Sequence, residues 1–316
     1  MDELGPGQRL DQYDLVDTIC NGGMATVFRA RDTQDGRWVA LKVPLLQFES
    51  DIVFHQRFLR EEKIGLRLNH PGIIRVLRPR EKSRVYMAME YLEGELLSTW
   101  VQREKGLPVE TALGLANQIT DVLVYLHAEN VIHRDLKPEN IMVLPDGKMK
   151  LMDFGIALDT TQRKITWSGL RAMGTPDYMA PEQLKGRRGD FRTDIYSFGV
   201  ILYEMLTGAL PFPGENVYAV IRAKVQDGPI PPRVVRGDLS PQIEEIILRS
   251  IERDPADRFQ DASKLREALA HPETLILTDR SRRQRLPPTL LSRLSRFLAR
   301  IREFTLKGAG LLTNRR

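Results

Sequence analysis

Hydrophobic and polar positions follow two rhythms along this chain. From Tyr13 to Val43 they alternate with a period of two, broken at Asn21-Gly22-Gly23 and at Asp35-Gly36, which predicts three antiparallel strands joined by tight turns. The stretch VFHQRFLREEKIGLRLNH then shifts to helical spacing through Phe54, Phe58, Ile64 and Leu68, and His70-Pro71-Gly72 ends it. Two further strand-like runs, IIRVLRPR and RVYMAMEYL, complete a small sheet with one helix. Beyond Gly94 the spacing is mostly helical: residues 109–128, 192–207, 215–226, 240–250 and 261–271 each repeat apolar residues every three or four positions. The pattern predicts an α+β chain in which a β-rich lobe is hinged to a larger helical one. A cleft between two such lobes is a usual place for a small ligand.

Composition adds limits. With 316 residues and 42% apolar content the chain can fill two lobes with a core. Its one cysteine, Cys20, excludes a disulfide within the chain and fits a reducing compartment. The start, MDELGPGQRL, is acidic and has no apolar centre, so no secretory signal is expected. No apolar run approaches the roughly 18 residues of a membrane span, and the expectation is a soluble, cytoplasmic protein.

Charge is divided unevenly. Residues 276–316 hold eleven Lys/Arg against Asp279 and Glu303, a balance of +9 within an overall +5, so residues 1–275 carry −4. A basic tail on a mildly acidic body implies an acidic partner for the tail. Within it, LPPTLLSRLSRFLARIREF predicts an amphipathic helix over 289–304, with Leu290, Leu294, Phe297, Leu298, Ile301 and Phe304 in one stripe. That stripe can dock on the same chain or a partner protein, or lie on an anionic membrane surface, which would make the protein peripheral at the membrane. No nucleic-acid partner is expected.

Three segments carry candidate chemistry. VIHRDLKPENIMV gathers His133, Arg134, Asp135, Lys137 and Asn140 between an apolar run and a strand; LMDFGIA and then GTPDYMAPE follow. Asp-Phe-Gly alone reads as an ordinary turn, but the joint order and spacing resemble the eukaryotic-type (Hanks-type) serine/threonine protein kinase family, most of all its bacterial members. The resemblance covers residues 13–271. It implies a bilobal protein-kinase-like fold with an N-lobe at 13–91 and a C-lobe at 92–271, preceded by an extension, 1–12, and followed by the basic tail, 272–316.

Moving a phosphoryl group needs metal-binding oxygens, a cation for the phosphates and a carboxylate near the acceptor hydroxyl. The resemblance distributes those parts. Asp135 would accept the proton of the acceptor hydroxyl and Lys137 would screen the γ-phosphate of ATP; Asn140 and Asp153 would hold Mg2+ through hard oxygen ligands. Lys42, on the strand VALKV, would hold the inner phosphates and pair with a helix glutamate. Distance to LNHP selects Glu61, with Glu62 adjacent as the alternative. Gly65, one turn on, replaces the larger apolar residue usual in the family.

The loop TICNGGMATVF departs from the family's three-glycine pattern, since Cys20 and Ala25 take two glycine places and Gly22 keeps the middle one. Glycine is needed where backbone approaches phosphate closely. Ile19, Cys20, Asn21, Gly22 and Gly23 would cover the nucleotide; Val27 and Ala40 would lie on one face of adenine and Met142 on the other. Met89, Glu90, Tyr91 and Leu92 would form the hinge against its edge, with backbone groups of Glu90 and Leu92 bonding it.

Control is expected in the activation segment from Asp153 to Glu182, with Thr160, Thr161, Thr166 and Ser168 as acceptors near Arg134, although Arg171 stands where an acceptor is usual. Thr175 would bond near Asp135 and Lys137. His133 is expected as a buried packing residue beside Phe154, Glu182 as the partner of Arg258, and Asp194 as a brace for the catalytic-loop backbone. The implied activity is ATP- and Mg2+-dependent transfer to Ser/Thr hydroxyls of proteins in signalling, including autophosphorylation of the chain's own activation segment; the alternative is a pseudokinase acting as a nucleotide-responsive binding or scaffold module. Small-molecule kinases of related fold are disfavoured by GTPDYMAPE, which builds a platform for a peptide.

Overall fold

The computed structural model describes residues 4–49, 51–153 and 176–280. Its small lobe is a six-stranded antiparallel sheet in the order β1-β2-β3-β4-β6-β5. The strands are β1 (Arg9–Leu10), β2 (Tyr13–Asn21), β3 (Ala25–Asp32), β4 (Trp38–Pro44), β5 (Val76–Leu77) and β6 (Met87–Glu90). The alternation from Tyr13 to Val43 therefore becomes the three central strands, β2, β3 and β4. Period-two burial explains why they pack: Tyr13, Leu15, Phe28, Ala30, Val39, Leu41 and Val43 fill one core with Leu10, Tyr86 and Ala88. The edge strand β1 lies upstream of that alternation, and of the IIRVLRPR run only Val76–Leu77 is strand.

Helix α1 (Leu46–Glu49) leads into α2 (Ile52–Gly65), capped by Asp51, whose side chain accepts from the Val53 and Phe54 amides at 2.9 and 3.1 Å. The helical spacing runs on to Leu68, but the helix stops at Gly65, and Leu68 is buried from the turn that follows. Below the hinge, β7 (Glu95–Leu96), β8 (Ile141–Val143) and β9 (Met149–Leu151) form a three-stranded sheet. The lobes are tied there: the Ile74 amide donates to the Leu151 carbonyl at 2.9 Å, and the Leu151 amide to the Gly72 carbonyl at 2.8 Å.

The large lobe consists of α3 (Leu97–Glu104), α4 (Val109–Ala128), α5 (Pro181–Leu184), α6 (Phe191–Thr207), α7 (Val217–Arg222), α8 (Pro232–Val235), α9 (Pro241–Ser250) and α10 (Ala262–Ala270). Helix α4 buries Ala112, Leu115, Ala116, Ile119, Val122, Leu123 and Leu126, a stripe at three- and four-residue spacing. Helix α6 is buried on nearly every side, as expected for the central helix of a bundle, and Asp190 caps it through the Arg192 amide at 2.9 Å. Asp261 and Ser240 cap α10 and α9 in the same way. The 215–226 spacing divides into α7 and a π-helical turn, Ala223–Asp227. Among the described residues, no helix is long and apolar enough to cross a membrane. The predicted tail helix, 289–304, lies outside the described residues.

Candidate active site

Strand β4 delivers Lys42 to the cleft because Leu41 and Val43 point into the outer core and leave the alternate face to Ala40 and Lys42. Lys42 Nζ donates to Glu61 Oε1 at 2.9 Å and to Asp153 Oδ1 at 2.7 Å. Glu61 and Glu62 are both buried on α2, yet only Glu61 is given to Lys42. Glu62 is bonded by Lys82 instead. Gly65 is buried as the last residue of the same helix.

The three groups respond differently to being buried together. Burial would push the Asp153 carboxyl up, but the Lys42 charge and hydrogen bonds outweigh it and hold the group well below the usual carboxylate range. Glu61 is pushed up by burial, with the Asp153 charge adding to the rise and Lys42 opposing it. Burial would lower the Lys42 ammonium; the two carboxylates reverse that and raise it, so Lys42 stays charged. The side chain of Asp153 is 48% exposed against 8% for Glu61. Glu61 is thus the closed anchor, and Asp153 keeps an open face.

The second cluster stands on the loop after Val131. Asp135 accepts from Lys137 Nζ at 2.8 Å, and Asn140 Nδ2 donates to the Asp135 carbonyl at 2.9 Å. With its Nδ2 so engaged, Asn140 turns its amide oxygen elsewhere. The Met152 amide donates to the Asn140 carbonyl at 2.9 Å, which brings β9 and Asp153 alongside this loop. Arg134 occupies the left-handed region at φ +63°, uncommon for a side chain of its size. Asp194 holds it there: its carboxylate accepts from the His133 and Arg134 amides at 2.9 and 2.8 Å, and Gln183 Nε2 donates to the Arg134 carbonyl at 2.9 Å. His133 is fully buried, and burial lowers its imidazole below the ordinary value despite nearby carboxylates. A neutral packing residue is the consequence, as expected.

Glu182 and Arg258 form the expected pair, with Arg258 Nη1 and Nη2 donating to the two carboxylate oxygens at 2.8 and 2.7 Å. Thr193 Oγ1 also donates to Glu182 at 2.9 Å.

The loop between β2 and β3 closes through the Gly22 amide, which donates to the Ala25 carbonyl at 2.9 Å. A Cβ on Gly22 would meet that same carbonyl oxygen at 2.9 Å, whereas one on Gly23 would meet nothing within 4 Å. Gly22 is therefore the constrained glycine of the two. Ile19, Cys20, Asn21 and Gly23 are exposed along the loop. Across the sheet Val27 faces Lys42, and Ala40 faces Met89; Ala40 and Met89 belong to the main core, against which Val27 and Leu92 pack. Met142, half-buried on β8, pairs with Leu96. A Cβ on Gly94 would strike the Val143 carbonyl, so the chain leaving the hinge needs glycine to lie on β8.

The donor set fits a magnesium ion brought in with phosphate. Mg2+ keeps several waters and takes one or two carboxylates together with phosphate oxygens. Asp153 and the amide oxygen of Asn140 would supply that small share. Among the described residues no group of three or more His, Cys, Asp or Glu could hold a metal by itself.

Some contacts at the site leave no mark in the sequence pattern. Lys150 on β9 bonds the Glu90 side chain across the hinge, and Glu90 also accepts from the Arg75 amide at 2.8 Å. Tyr178 donates to Glu204 at 2.6 Å, and Lys224 reaches the backbone of 177–179. The activation-segment residues Phe154, Thr160, Thr161, Thr166, Ser168, Arg171 and Thr175 lie outside the described residues.

A curled sheet over a helical lobe, with a lysine–glutamate pair and two polar loop clusters at the junction, defines the class of a protein kinase. The protein kinase domain family matches residues 13–272, and the chain belongs to it. A probable serine/threonine-protein kinase of Clostridium perfringens is 34% identical over 256 residues, covering 81% of this chain and 37% of the relative. The serine/threonine-protein kinase PknB of Mycolicibacterium smegmatis is 34% identical over 299 residues, covering 90% and 48%. The chain thus spans less than half the length of these two curated relatives. Among solved structures, the Mycobacterium tuberculosis PknI kinase domain aligns with a TM-score of 0.68 at 26% identity, covering 86% of this chain and 100% of that one.

Proposed function

We propose that this chain is an active serine/threonine protein kinase that transfers the γ-phosphoryl group of ATP to protein hydroxyls. The observation that carries the reading is the reach of one lysine, Lys42, to both Glu61 and Asp153 at hydrogen-bond distance. Lys42, held by Glu61, would bind the inner phosphates. Asp135 would orient the acceptor hydroxyl and take its proton, while Lys137, 2.8 Å from it, would screen the transferred charge. Asn140 and Asp153 would hold magnesium, which when bound neutralises charge on the phosphate oxygens. Ile19 to Gly23 would cover the phosphates; Val27, Ala40, Met89, Glu90, Leu92 and Met142 would enclose the base.

Protein substrates with Ser or Thr acceptors are the proposed partners, in the cytoplasm. The basic tail is a second proposed contact, to an anionic membrane surface or an acidic partner protein, supported by its +9 balance. Sedimentation with anionic but not neutral vesicles, lost on truncation after Pro272, tests the membrane contact.

The decisive test is incubation with labelled ATP and magnesium followed by phosphosite mapping, beside an Asp135→Asn control. Labelled Ser or Thr is expected with the wild type and not with the control. Nucleotide binding without any transfer would favour the pseudokinase reading instead.

A further inference from the structure

Lys224 takes no part in the chemistry above, yet it is 2% exposed. It sits on the π-helical turn Ala223–Asp227, and single π turns occur often at functional sites. Its Nζ donates to the Asp177 carbonyl and, at 2.8 Å, to the Met179 carbonyl. Between those two, the Tyr178 carbonyl accepts from Ser197 Oγ on α6 at 2.9 Å. The Tyr178 hydroxyl is in turn fixed on Glu204. Three successive carbonyls of one turn therefore draw their donors from side chains on separate elements.

Two aromatic rings also border the amine. The Tyr196 and Phe212 rings lie 5.2 and 5.5 Å from Nζ. Burial pushes the ammonium down to about 7, against the pull of the Asp177 carboxylate. Either protonation state keeps enough N–H groups for both carbonyls. For packing alone an apolar side chain of similar length would do at lower cost, because burying an amine carries a desolvation penalty. What lysine adds here is two donors aimed at the turn of 176–179, which belongs to GTPDYMAPE.

We propose that Lys224 is a positioning residue for acceptor-peptide binding, setting the backbone of 177–179 before the peptide arrives. The proposal rests on the kinase reading above. Lys224 bonds the turn of 177–179 and none of the groups assigned to the nucleotide, so its loss should act on the peptide and not on ATP.

The experiment is steady-state kinetics on the full chain with a phosphorylatable peptide, alongside ATP hydrolysis in its absence. Lys224→Met should raise the peptide KM about tenfold or more, the scale of buried carbonyls left without donors. Its kcat, ATP KM and peptide-free hydrolysis should stay within about twofold of wild type. A cavity of about 440 Å³ touches Lys224, Phe212, Asp227 and Pro181 and gives a small amine a way in. Propylamine should accordingly restore the peptide KM of Lys224→Ala in part. An unchanged peptide KM in folded Lys224→Met overturns the proposal, as does an equal loss of peptide transfer and hydrolysis. If neither Lys224 variant folds, Ser197→Ala is read in the same way, and an unchanged peptide KM there also overturns it. A wild type inactive toward every peptide overturns the kinase reading and this proposal with it; an active wild type with an unmoved variant overturns this proposal alone.

Discussion

Two ion clusters among the described residues are built on opposite plans. In the cleft one cation, Lys42, serves two carboxylates, Glu61 and Asp153, and the second remains half open to solvent. In the helical lobe Arg258 meets Glu182 through both carboxylate oxygens. Its remaining donors reach the Glu252, Arg192 and Arg253 carbonyls at 2.8, 2.9 and 3.2 Å, so all five N–H groups of the guanidinium are used. The closed pair is neutral and complete, and suits a scaffold. The cleft cluster sets two carboxyl groups against one cation and leaves Asp153 half open, which suits a site that must admit a ligand and release it.

The largest contrast should appear in activity. Lys42→Met and Asp153→Asn are each expected to cut phosphoryl transfer by about a thousandfold or more, since electrostatic positioning is the main catalytic term in such sites, and Asp153→Asn should leave the unfolding midpoint close to wild type because its carboxylate is half exposed. Radiolabel transfer and thermal unfolding on the same preparations check both halves. Undiminished transfer by Asp153→Asn would remove that residue from the metal site and erase the contrast.

The scaffold pair should behave in reverse. Arg258→Met leaves Glu182 buried without its partner and should destabilise the fold by about 3–5 kcal/mol in urea titration. Adding Glu182→Leu should recover much of that loss, because an apolar pair replaces an orphaned charge.

Glu61 and Glu62 sharpen the comparison within one helix. Glu61→Gln should lower kcat by about tenfold to a hundredfold by weakening the hold on Lys42, whereas Glu62→Gln, which touches Lys82, should change it by less than about threefold. Equal effects would mean that the helix as a whole, and not the Lys42 contact, matters.

The smallest effects are those of pH on stability. The Glu182 carboxyl is desolvated, but Arg258 hydrogen bonds and charge outweigh that and hold it below its ordinary value. Its stabilisation is present above the unfolded value of about 4 and is lost as pH falls through the lower folded value. Glu61 is raised, so its contribution is fully present below about 4 and is lost as pH rises through the folded value. Unfolding midpoints between acid and neutral pH should show Glu182→Gln flattening the acid limb and Glu61→Gln flattening the decline above it, each by about 1 kcal/mol or less.

Much of this fold can be read from periodicity. The three central strands and helix α4 show a clean period because each buries one face against a core. Helix α3 leaves no such mark, since eight residues that bury only Leu97 and Val101 make too short a stripe to detect. The π turn at Ala223–Asp227 interrupts the α-helix that the 215–226 spacing predicts.

The sequence alone carries the motif residues and their order, because they fall at fixed offsets along short loops. It also determined the alternation that places Lys42 opposite Val39, Leu41 and Val43 on β4. Tertiary structure alone decided which of two adjacent buried glutamates receives Lys42, since both sit on α2 and only the position of the β4 lysine and of Lys82 separates them. It alone revealed Lys224 as buried: between Ala223 and Val225 a lysine reads as a solvent-facing residue, and the carbonyls that hold it lie some 45 residues earlier in the chain. Local pattern records what a residue does to its neighbours in sequence, whereas a side-chain bond to a distant carbonyl exists only once the helices have packed.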